Sequence, residues 1–171
     1  IISLYSYLSY TSGNLEVNDK IVDYSKGRMY IEGDEGESFP SKYIWINGLD
    51  ESSSYTCSVA TIPLLGKTIL GFFCYIYTGS KIYRFATYNF AKVKVNNNNS
   101  ISVRKGKYRL EIIYIPKLDE AHKLKAPNNG EMSRFIREAL STSSKITLYK
   151  KNKTIYSNEY EFTSLEKVNF N

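Results

Sequence analysis

The chain is poor in the residues from which most catalytic and metal sites are built. Its 171 residues include one histidine, His122, and two cysteines, Cys57 and Cys74. A serine or cysteine nucleophile needs a base within hydrogen-bond reach, and His122 stands between Ala121 and Lys123 in a charged stretch that offers no nucleophile. No Gly-x-Ser-x-Gly elbow and no glycine-rich phosphate cradle occur, and the 17 acidic residues form no pattern suggesting a carboxylate-lined cleft. One imidazole with two thiols falls short of a zinc set, so neither metal nor cofactor is expected. A run of about 20 apolar residues is also missing, which leaves no candidate membrane-spanning helix. These absences lead to the expectation of a protein that is not an enzyme.

What the chain has in quantity is aromatic side chains. They make up 15% of it, with 16 Tyr and 8 Phe against a single Trp. Such residues suit pleated, half-buried surfaces better than helices, so the fold should be mainly β. At this length the simplest organisation is one domain over residues 1–171 with a core of its own.

The organising stretch is Tyr55 to Tyr77. Tyr55, Cys57, Val59 and Thr61 share one face of its first arm. A turn between Leu65 and Gly66 places them opposite Ile76, Cys74, Phe72 and Leu70, all pointing inward. One register thus satisfies both arms and brings the two cysteines face to face. That geometry fits a disulfide, which would stabilise by about 3 kcal/mol and would imply an oxidising compartment. The competing reading is a pair of reduced, buried thiols. Pro63 lacks a ladder N–H, so regular pairing is expected to stop near Ile62, leaving a wider loop whose Leu64 and Leu65 could contact a partner.

Other elements follow from pattern. Ile2 to Tyr10 reads as an edge strand, Leu15 to Val22 as a weak strand and Arg28 to Glu32 as a short one. Glu32, Asp34, Glu35 and Glu37 crowd a turn in no known calcium-loop spacing, which marks them as solvated acids. Lys42 to Leu49 is apolar on both faces, Tyr43 and Trp45 on one and Ile44 and Ile46 on the other, so it is a central strand or one whose outer face is covered. A break is expected near Thr87 to Asn89, where the alternation changes phase. Asn98-Asn99-Ser100 and Asn152-Lys153-Thr154 are glycosylation sequons.

Tyr108, Leu110 and Ile112 alternate after a turn at Arg104-Lys105-Gly106-Lys107. This Gly-x-Tyr-x-Leu-x-Ile form resembles the late strands of immunoglobulin-like and prealbumin-like sandwiches, a likeness over about eight residues that implies architecture and no activity. The expected fold is therefore an antiparallel β-sandwich of that kind with one short α-helix. The helix is placed at residues 130–140, with Asn129 as N-cap and Met132, Phe135, Ile136 and Leu140 inward at helical spacing. The charged stretch Lys117 to Lys125 is read as helical too. Lys145 to Tyr149 and Thr154 to Phe162 form a last hairpin, and the final nine residues should be loosely held.

The net charge of +6 conceals an asymmetry. Residues 1–60 hold 4 basic and 9 acidic side chains, residues 61–171 hold 19 and 8. Arg104, Lys105, Lys107 and Arg109 cluster at one turn and Lys150, Lys151 and Lys153 at another, so these seven, with Leu64 and Leu65, are the candidate partner-binding residues. An acidic protein, an anionic glycan or a lipid head group fits them, while the interleaved tyrosines are too weak a signal for nucleic acid. The combined expectation is a non-enzymatic cell-envelope module, periplasmic or extracellular. It would carry a lipoprotein-type anchor before Ile1 and bind a protein as a secretion accessory, adhesin-like or immunity-type module. The alternative is a glycan-binding module that presents exposed tyrosines and Trp45.

Overall fold

The computed structural model describes residues 2–117 and 121–170. Four strands precede the main sheet: β1 (Ile2–Tyr10), β2 (Asn14–Val17), β3 (Lys20–Asp23) and β4 (Arg28–Asp34). The main sheet is built from β5 (Tyr43–Leu49), β6 (Ser54–Leu64), β7 (Lys67–Tyr77), β8 (Ile82–Ala86), β9 (Lys92–Asn96) and β10 (Ser100–Lys105), then β11 (Tyr108–Ile115), β12 (His122–Asn128), β13 (Glu131–Lys150) and β14 (Lys153–Val168). Its order is β8-β7-β6-β5-β14-β13-β11-β10-β9, with β12 beside the first half of β13. Every pairing is antiparallel. The sheet curls until its ends nearly meet. Lys105 Nζ on β10 donates to the Arg84 carbonyl on β8 at 3.4 Å, and the Tyr83 and Tyr108 rings pack edge to face at 6.0 Å.

The mainly β, antiparallel expectation holds, and the sandwich does not. β14 pairs with β13 on one side and β5 on the other, which joins the two halves of the chain into one barrel-like sheet rather than two facing ones. Its interior is filled by side chains from every part of the wall, among them Ile46, Tyr55, Cys57, Ile101, Leu110, Ile146 and Leu165. Two tyrosines bridge it: Tyr55 donates to Ser144 Oγ at 2.6 Å, Tyr160 shares a hydrogen bond with Ser53 Oγ at 2.9 Å, and their rings lie 5.0 Å apart.

The Tyr55 to Tyr77 hairpin has the expected register, with Tyr55 opposite Ile76, Cys57 opposite Cys74, Val59 opposite Phe72 and Thr61 opposite Leu70. Pairing does not stop at Ile62, however; it runs to Leu64 opposite Lys67 through a two-residue turn with positive φ at Leu65 and Gly66. Pro63 is tolerated because β5 ends its pairing with β6 at Ala60 and the last backbone bond on that side is Thr61 N to the Lys42 carbonyl, so no ladder N–H is required at position 63. The phase break near Thr87 is a short 3-10 turn at Thr87–Asn89.

No α-helix occurs among the described residues. The expected helix at 130–140 is the first half of β13. Asn129 and Gly130 both have positive φ, 51° and 80°, between Asn128 and Glu131 of a paired hairpin. Asn-Gly here is therefore a primed hairpin turn and not a helix start. Ile136 is buried as expected, whereas Met132, Phe135 and Leu140 are each more than half exposed. The second expected helix falls partly on residues 118–120, outside the described residues, and from His122 onward it is β12. The supposedly loose C-terminal stretch is wall: residues 163–168 pair with β5, and Leu165 is wholly buried.

Candidate functional site

The outer face of β5, β6 and β7 carries a groove because the side chains there alternate between large and small. One row across the wall reads Glu166, Trp45, Ser58, Phe73, and the row beside it reads Tyr43, Ala60, Gly71. Ser58, Ala60 and Gly71 are too small to fill the space, so they form a floor between aromatic walls. The floor is tight at one point: a Cβ on Gly71 would stand 2.2 Å from Ile62 Cδ1. The groove encloses about 840 Å³.

Its cover comes from the N-terminal part of the chain. Glu32 of β4, together with Phe39 and Pro40 of the following segment, closes over the rows. That segment is tied down by the hairpin of β12 and β13: Phe39 N donates to the Pro127 carbonyl at 3.2 Å, and Arg134 Nη1 donates to the Phe39 and Pro40 carbonyls at 3.2 and 2.8 Å. β1 holds on from the other side, where Ser54 Oγ donates to the Tyr7 carbonyl at 2.5 Å and the Tyr7 ring packs on Tyr75.

Two carboxylates are fixed within this apolar lining. Trp45 Nε1 donates to Glu32 Oε1 at 2.9 Å and Tyr30 donates to Glu32 Oε2, while Tyr43 donates to Glu166 Oε2 at 2.7 Å. Tyrosine hydroxyls gather at a further point of the lining, with Tyr75 and Tyr88 oxygens 3.3 Å apart. Burial, then the hydrogen bond with Tyr88, push the Tyr75 hydroxyl well above the ordinary tyrosine range, so it stays protonated. The groove thus combines aromatic faces with anchored carboxylates. Such surroundings favour an apolar ligand and any positive charge that develops on it.

A family model described as tocopherol cyclase-like matches residues 7–167, a span that takes in the whole groove and nearly all of the sheet. The chain belongs to the tocopherol cyclase-like family. No curated protein and no solved structure matches it. Membership of an enzyme-related family overturns the expectation of a non-enzymatic module, whether secretion accessory, adhesin-like or immunity-type, and gives the cell-envelope and lipoprotein readings no support. The glycan alternative fails on geometry as well. Trp45 is half-buried beneath β4 and hydrogen-bonded to Glu32, so it is not an open platform.

Of the residues singled out from the sequence, Trp45, offered as a glycan platform, and the crowded acids Glu32 and Glu35 line the groove, whereas the two cysteines and the candidate partner-binding residues do not. Cys57 and Cys74 lie opposite each other, but as two free, fully buried thiols and not as a disulfide. Burial, then the hydrogen bond with Cys57, push the Cys74 thiol well above its ordinary range, which keeps it protonated and inert. The two basic turns are neighbours: β11 pairs with β13 so that Tyr108 faces Lys150, and Lys151 N donates to the Lys107 carbonyl at 2.6 Å. Arg109 lies directly opposite Arg104, but it is stacked 3.8 Å over Tyr149 and ion-paired with Glu111. Leu64 and Leu65 stand exposed at the far tip of the central hairpin. Tyr43 and Glu166 draw no site reading from the sequence, and Glu32 and Trp45 read there as a solvated acid and a glycan platform. The signal that pointed to them was the second apolar face of β5, which a sheet with one wet side would not have.

Proposed function

We propose that the groove is the active site of a cyclase-type enzyme acting on an apolar molecule that carries a phenolic ring and an unsaturated chain. The observation that carries this reading is the pair of anchored carboxylates, Glu32 and Glu166, within an aromatic lining, in a chain of the tocopherol cyclase-like family. Closing a ring from a phenol and an alkene is an isomerisation. A carboxyl group gives a proton to one alkene carbon, the phenol oxygen bonds to the adjacent cationic carbon, and the phenol proton then leaves to the carboxylate. No oxidant is consumed and atoms balance.

The groove supplies what that path needs. Aromatic faces and carboxylates lower the energy of the transient cation, and the cover of β4, Phe39 and Pro40 limits the water that would otherwise trap it. Glu32 and Glu166 divide the roles of proton donor and electrostatic partner, with Tyr30, Trp45 and Tyr43 fixing their orientation.

The test is conversion of a prenylated hydroquinone to its cyclic ether, followed as a product of unchanged mass. Glu32→Gln and Glu166→Gln should each lower turnover, the proton donor of the two by about 10²- to 10⁴-fold with little change in substrate binding. Tyr43→Phe should cost less. Wild-type protein that binds the hydroquinone and makes no cyclic ether contradicts the proposal.

A further inference from the structure

We infer that the surface around Phe90 docks the protein on an anionic lipid bilayer beside the entrance to the groove. This goes beyond the cyclase reading and stands without it. Phe90 is 92% exposed and has a left-handed backbone, φ 63° and ψ 19°, where a phenylalanine is out of place on both counts. The turn is nevertheless firmly built. Phe90 N donates to the Thr87 carbonyl at 3.2 Å, Asn89 Oδ1 accepts from Ala86 N at 3.0 Å, and Asn89 Nδ2 donates to the Arg84 carbonyl at 3.2 Å. A phenyl ring held outward by three hydrogen bonds is presented to something.

Cations surround it. Lys92, two residues on, lies opposite Arg104, and Lys105 Nζ donates to the same Arg84 carbonyl that Asn89 uses. Lys107, Lys150 and Lys151 continue the patch through the two neighbouring turns. Neither ion pair found among the described residues involves any of these six. One exposed aromatic ring among lysines is the combination that peripheral proteins use: the ring enters the acyl boundary and the ammonium groups meet anionic head groups.

Continuity with the groove favours a bilayer over another polyanion. Tyr88, two residues before Phe90 on the same turn, lines the groove. Lipid contact at Phe90 therefore places the apolar lining next to the medium in which an apolar ligand dissolves.

The probe is co-sedimentation of the full chain with phosphatidylcholine vesicles, with and without phosphatidylserine, at low and moderate ionic strength. Binding is expected only with phosphatidylserine, weakened by salt, and about fivefold weaker for each of Lys105→Ser, Lys107→Ser and Lys151→Ser. Phe90→Ser should weaken it severalfold without altering the thermal unfolding midpoint. Leu65→Ser, at the exposed tip of the β6–β7 hairpin, should change nothing. A second readout uses Phe90→Trp in a Trp45→Phe background, whose emission should shift to the blue on adding phosphatidylserine vesicles. No vesicle binding, equal binding to neutral vesicles, binding lost with Leu65→Ser and kept with Phe90→Ser, or retention by an acidic protein or single-stranded nucleic acid but not by vesicles would each overturn the inference.

Discussion

Trp45 donates its indole N–H to Glu32 Oε1 at 2.9 Å, and this contact fastens the N-terminal layer to the barrel wall over the groove. Hydrogen bonds to a charged group contribute about 1.5–3 kcal/mol when partly buried. Trp45→Phe and Glu32→Gln should each lower stability in urea by about that much, and the double variant by less than the sum. Strict additivity would show that the two side chains do not act together.

The turn at Asn129 and Gly130 distinguishes hairpin from helix by sign. Gly130 has φ 80°, so Gly130→Ala should destabilise by about 1 kcal/mol, read as a lower urea midpoint at unchanged slope. In a helix the same substitution would stabilise by a similar amount.

That turn also shows where the sequence was legible and where it was not. The register of the central hairpin followed from alternation alone, since a slip of one residue would have turned Cys57, Val59 and Cys74 outward. Met132, Phe135, Ile136 and Leu140 fit helical spacing equally well, because a long strand exposed on one face keeps apolar residues that no core demands. Asn129-Gly130 was the deciding local signal. Closure into one sheet depended on β14 bending to serve two neighbours, a relation between residues 163–168 and 43–48 that no local pattern encodes. The groove was half visible: the two apolar faces of β5 required a cover, but the pairing of Glu32 with Trp45 and of Glu166 with Tyr43 joins residues too far apart for spacing to reveal.

The buried thiols should resist alkylation. Cys57 and Cys74 are fully enclosed, and Cys74 is held protonated by burial and by its neighbour. Under native conditions an iodoacetamide-type reagent should label neither, and both should react once denaturant unfolds the chain. Rapid native labelling would contradict this placement.

Asp50 sets an acid limb of stability. Burial acts to raise its pKa, but donation from Ser52 N, Ser53 and Asn158 outweighs it and holds the carboxyl below its ordinary value of 3.8. A depressed folded-state pKa stabilises the fold above the ordinary value, and this contribution is lost as pH falls through the lower, folded one. Solvent screens this partly exposed carboxyl, so Asp50→Ala should lower stability at neutral pH by at most about 1 kcal/mol and should flatten its fall below about pH 4.

The sole tryptophan lines the groove, so fluorescence tests the central claim directly. Titrating the protein with a prenylated hydroquinone should quench or shift Trp45 emission saturably. Filling the floor with Ala60→Leu should abolish that response while the protein still unfolds cooperatively. A Trp45 signal unmoved by the hydroquinone, or a response unchanged by Ala60→Leu, would contradict the assignment of this groove as the functional site.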